Sequence, residues 1–140
     1  MIAQDQFWQF SLAHYQQPNV QATMLSWQDN YGANVNLALL CIYLTENSLS
    51  LSRDNIAALH NKVIEFDRSY TRPLRELRKM YKANQSALSH YKTIRQALLS
   101  AELELEKQQQ AILIDTCNTL KLQTKTDDNW LNYQNYLKQL

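Results

Sequence analysis

A single glycine, Gly32, stands among 140 residues, and that scarcity constrains the chain more than any motif in it. Glycine supplies the positive-φ corners of tight turns and lets backbone approach a phosphate closely. The sequence accordingly has no G-x-x-x-x-G-K-[ST] phosphate loop and no G-x-G-x-x-G dinucleotide turn. Two prolines and the lack of alternating β-branched runs leave a nearly all-helical chain as the expectation.

The length is that of one domain, and an apolar content of 45% is enough for a core. The periodicity predicts a helix from Gln4 to Tyr15 and a second from Val20 to Asp29, with Pro18 opening the latter. Gly32 suits the left-handed position past that helix. Asn34 is the expected N-cap of a third helix, Val35–Thr45, which is apolar nearly all round and so reads as the centre of a bundle. Ser52 caps a fourth helix carrying Ile56, Leu59, Val63 and Phe66, which Pro73 must kink or interrupt. A long helix follows from near Ser86 past Leu120, with a heptad-like seam from Leu88 to Leu105 that weakens at Gln108-Gln109-Gln110. The expected fold is an all-α, single-domain helical bundle with a long C-terminal helix. Residues 1–123 form the bundle, and 124–140 form a short helix or tail carrying Trp130, Tyr133 and Tyr136. The seam either completes the bundle or pairs two copies as a homodimer.

Net charge is only +1, which argues against a dedicated non-specific nucleic-acid binder. The sum conceals an asymmetry: residues 1–52 carry −3, residues 53–95 carry +6 and residues 96–140 carry −2. Cys41 and Cys117 have neither metal spacing nor a disulfide framework, and read as reduced thiols of a cytoplasmic protein. The N-terminus lacks the pattern of a signal peptide, and no apolar run approaches the ~20 residues of a membrane span.

The segments Phe7-Trp8-x-Phe10-Ser11-Leu12-x-x-Tyr15-x-x-Pro18, Gln28-Asp29-x-x-Gly32-x-x-Val35-Asn36-Leu37 and Pro73-Leu74-Arg75-x-x-Arg78-Lys79 resemble a proteobacterial family of conserved hypothetical proteins, a domain of unknown function. The resemblance covers residues 7–82 and implies a small bacterial helical protein, without assigning an activity. Two positions depart from the family pattern. Asn19 stands where a glycine often follows the proline, and Asn34 stands where an aspartate is usual, which removes a charge.

Two groups of residues could do chemical work. On a continuous helix at about 100° per residue, Arg68, Arg72, Arg75, Lys79 and Lys82 fall within about 80° of one another, and Arg78 lies beside them. This basic face suits phosphates or acidic protein surfaces. The plainer reading is a solvated face paired with Glu102, Glu104 and Glu106. The other group is the polar corner Gln28, Asp29, Asn34 and Asn36, either a small pocket or a set of capping residues that tie the corner together. His14, His60 and His90 are scattered without ligand spacing, so no metal site is expected. No nucleophile motif or cofactor motif is present, and no catalytic residue is assigned. The expected function is a non-enzymatic interaction module that binds an acidic protein through Arg68, Arg72, Arg75, Arg78, Lys79 and Lys82. The alternatives are a nucleic-acid- or ribosome-associated protein using the same face, and a small-molecule binder or enzyme built on the corner at Gln28-Asp29.

Overall fold

The computed structural model describes residues 1–140 as one all-helical domain. Seven α-helices follow in order: α1 Gln4–Tyr15, α2 Val20–Tyr31, α3 Val35–Glu46, α4 Arg53–Phe66, α5 Arg72–Ala83, α6 Tyr91–Cys117 and α7 Asn129–Lys138. The corners are built as the residues dictate. Gly32 takes φ +71 behind α2, and Asn19 takes φ +68 before it, a conformation asparagine tolerates better than most residues. The side chains of Asn34 and Ser52 accept from the N–H groups of Leu37 and Asn55, capping α3 and α4.

The apolar α3 occupies the centre. It buries Leu37, Leu40, Cys41 and Leu44 against α1, α2, α4, α6 and α7. Phe7, Met24, Ile56, Leu59, Val63, Leu113, Tyr133 and Leu137 complete the core. No helix is long and apolar enough to cross a membrane.

The long helix α6 spans 27 residues, about 40 Å, and buries side chains only from Gln109 onward. Its first half pairs with α5, which buries none. The pairing is antiparallel: Arg78 meets Glu102, and Arg75 approaches Glu106, so partners move in opposite directions along the two helices. The seam residues Leu88, Tyr91, Ile94, Leu98 and Leu105 are half-buried along this pair. At the other end, α7 docks on α3 and α4 and sinks Tyr133 and Tyr136 into the core rather than presenting them to another chain. Asn129 at its start clamps the loop between α3 and α4, donating to the Leu49 carbonyl at 2.8 Å and accepting from Leu51 N–H at 2.9 Å.

Candidate ligand-binding site

Pro73 sets the local geometry from which the site is built. It has no N–H, and its ring crowds the carbonyl one turn earlier, so a regular helix is disfavoured just before it. The backbone there widens into one π-turn, Asp67–Thr71, with Arg72 N–H bonded to the Asp67 carbonyl. Such turns add a residue without ending the helix. Here Asp67 and Thr71 both end up inside, 7% and 0% exposed. The chain runs on into α5, so Pro73 neither breaks nor stops it.

Facing them from α6 is Gln109, whose Nε2 donates to Asp67 Oδ1 at 3.0 Å and to Thr71 Oγ1 at 2.8 Å. Its Oε1 accepts from Asn34 Nδ2 at 2.9 Å and from Asn36 Nδ2 at 3.0 Å. Gln110 Nε2 donates to Ser11 Oγ and to Asn36 Oδ1, both at 3.0 Å. Asn36 Nδ2 also reaches Glu106 Oε2 at 2.6 Å. One buried network thus joins α1, α3, α6 and the π-turn. A single atom in it, Gln110 Oε1, has no partner, an omission that costs roughly 1–3 kcal/mol.

This network floors a cleft of about 590 Å³. One wall is the α5–α6 pair, with Arg75, Arg78 and Lys79 beside Glu102 and Glu106. The other comprises α1 and α2, with Trp8, Leu12, Tyr15, Gln21, Leu25, Gln28 and Asp29. Burial pushes the Glu106 carboxyl up, with Asp67 and Glu102 adding to the rise, against the Asn36 hydrogen bond and the Arg75 charge that lower it. The Tyr15 hydroxyl is raised by burial and by Glu106.

The polar corner divides between two tasks. Asn34 and Asn36 turn inward to the network, Asn34 while capping α3. Gln28 and Asp29 line the cleft instead of tying the corner. The Asn34 backbone N–H donates to Tyr133 Oη at 3.0 Å, and that hydroxyl lies 2.7 Å from His60 Nδ1. Burial lowers the His60 pKa to about 4, so a neutral ring shares this hydrogen bond at neutral pH. In this way α7 braces the corner from behind.

The basic face is likewise divided. Arg75 approaches Asp67 at 3.5 Å and Glu106 at 3.7 Å, and Arg78 Nε donates to Glu102 at 2.5 Å. Arg72 also reaches Asp67, at 3.5 Å. Arg68, Lys79 and Lys82 are exposed and form no ion pair. The added residue of the π-turn alters the angular alignment that a continuous helix would impose. Gln28 and Asp29 share one cleft with Arg75, Arg78 and Lys79, residues that sequence spacing kept apart. Asp67, Thr71, Glu106, Gln109 and Gln110 were not among the expected site residues. The available signal was Gln108-Gln109-Gln110, a polar interruption in an apolar seam.

Elsewhere, no group of three His, Cys, Asp or Glu side chains is gathered to hold a metal ion. Burial pushes the Cys117 thiol up to about 11 and raises Cys41 as well, which suppresses their nucleophilic thiolate forms.

Residues 6–113 match the model of a family of proteins of unknown function, DUF2390, and the chain belongs to that family. The match passes the segments that carried the resemblance and continues along α6 through Gln109 and Gln110. It includes every residue lining the cleft. The chain matches no curated protein and no solved structure.

Proposed function

We propose that this member of the family is a small-molecule-binding protein whose site is the cleft between the α5–α6 pair and helices α1 and α2. The observation carrying the reading is the joining of Gln28 and Asp29 to Arg75, Arg78 and Lys79 around about 590 Å³, above a buried amide network. The volume falls within the range of small-ligand sites. A buried polar network adds less stability than an apolar core would, but it holds side chains in fixed positions, as binding requires. The free buried thiols Cys41 and Cys117 favour a cytoplasmic setting.

The test is thermal stability in fractionated small-metabolite mixtures, comparing wild type with Leu25→Trp, which fills the cleft from its exposed rim. A ligand at 100 times its Kd adds about 2.7 kcal/mol, so at least one fraction should raise the wild-type Tm by several degrees and the variant by less than half as much. Equal shifts in the two proteins, or none in any fraction, would sink the reading.

A second reading retains the acidic protein partner. It is favoured by the outward cations Arg68, Arg72, Lys79 and Lys82, which share α5 and its π-turn with Tyr70 and Met80, 59% and 51% exposed. Nucleic acid is the competing occupant of this face. Paired Arg68→Glu and Lys82→Glu changes, both outside the cleft, would abolish capture of such a partner from lysate, and nuclease treatment would distinguish protein from nucleic acid.

A further inference from the structure

We infer that the molecule held in the cleft is a small organic anion, its carboxylate or phosphate received by Arg75, Arg78 and Lys79; this rests on the ligand-binding reading above. A guanidinium has five N–H donors in a planar fork. Arg78 donates through Nε, to Glu102, leaving both terminal nitrogens without a protein acceptor. Arg75 donates through Nη2 alone, to Asp67 at a long 3.5 Å. Both side chains are three-quarters buried or more, with 20% and 25% exposed, so water reaches them mainly through the cleft they line. Lys79, one residue beyond Arg78, lines the same cleft and forms no ion pair.

The carboxylates have partners of their own. Asp67 receives Gln109 and Arg75 on Oδ1 and Arg72 on Oδ2. Glu106 receives Asn36 on Oε2 and faces Arg75 on Oε1, and Glu102 receives Arg78. Glu102 Oε1 is left open too, but the terminal nitrogens of Arg78, Nη1 of Arg75 and the Lys79 ammonium are open donors grouped on this wall, suited to a bidentate oxyanion. With Arg72 closing on Asp67, the four cations match the four carboxylates Asp29, Asp67, Glu102 and Glu106, so an incoming anion meets no net negative site. Trp8 and Leu25 supply apolar surface for an organic body, and Gln28 and Asp29 supply polar contacts at its far end.

The experiment follows the Arg Nε–Hε resonances of Arg75 and Arg78 by NMR during titration with succinate, inorganic phosphate and the neutral analogue succinamide. Saturable shifts are expected with both anions and none with succinamide at equal concentration. Lys79→Gln should weaken anion binding at least threefold, whereas Arg68→Gln, outside the cleft, should leave it unchanged. Tighter binding of one anion supports the inference and identifies the preferred head group. Equal response to succinamide would overturn the anion assignment while leaving the cleft as a binding site. Equal weakening by Arg68→Gln would also overturn it, since diffuse surface charge would then explain the effect. Absence of any shift would overturn it too, and the metabolite experiment would separately decide whether the cleft binds at all.

Discussion

The His60 ring is 7% exposed, and its Nδ1 shares a hydrogen bond with the Tyr133 hydroxyl. With a folded pKa of about 4 against an ordinary 6.5, the unfolded chain binds the proton more readily between those values. Stability contributed here is therefore complete above pH 6.5 and lost as pH falls toward 4, with a slope of at most about 1.4 kcal/mol per unit. Glu106, whose pKa is raised, acts in the opposite sense, so a comparison is needed to isolate the histidine. Urea midpoints at pH 7 and 4.5 should fall further for wild type than for His60→Gln; parallel losses would rule out His60 as the source. His60 was legible in the sequence as an ordinary histidine without metal-ligand spacing, but its partner lies 73 positions away. Gln109 and Gln110 mark a similar limit. Three glutamines in an apolar seam were visible as an interruption, yet the burial of Gln109 and Gln110 to 1% exposure depends on acceptors and donors brought by α1, α3 with its cap, and the π-turn.

At the scale of elements, the capped helix starts were readable because a cap is a local hydrogen bond. The long helix, expected from near Ser86 past Leu120, runs only from Tyr91 to Cys117, with no side-chain cap at its start and a separate turn at Gln85–Ala87 before it. Asn34 and Ser52 both cap as their positions suggest, but only Asn34 has a second task. Ser52→Ala removes an exposed cap and should cost about 1 kcal/mol. Asn34→Ala loses the cap and the buried bond to Gln109, and should cost about 2 kcal/mol. The difference is measurable by chemical denaturation, and equal costs would mean that the network adds nothing at this corner. The π-turn was less legible. Pro73 announced an irregularity, but a proline alone does not distinguish a kink, a break or a π-turn. Packing makes the choice here, since the observed turn brings both Asp67 and Thr71 to Gln109.

Across the whole molecule, the terminal helix is structural. It contributes Tyr133, Tyr136 and Leu137 to the core, at 0%, 6% and 4% exposure. Burying three such side chains is worth roughly 5–8 kcal/mol, comparable with the 5–15 kcal/mol stability of an ordinary domain. Deleting residues 124–140 should abolish the cooperative melting transition followed by circular dichroism; a sharp transition retained near the full-length Tm would show that the bundle stands without α7. The sequence alone determined that the chain is helical, that the apolar helix read as Val35–Thr45 lies at its centre, and where the caps at Asn34 and Ser52 and the corner at Gly32 fall. Those properties follow from spacing of 3.6 residues, from propensity and from bonds within a few residues. Only the tertiary structure decided that the polar corner and the basic helix form two walls of one cleft. That juxtaposition depends on how α5 and α6 run back past α1 and α2, and on the extra residue of a π-turn. Neither leaves a period in the sequence, because each is set by packing between segments tens of residues apart.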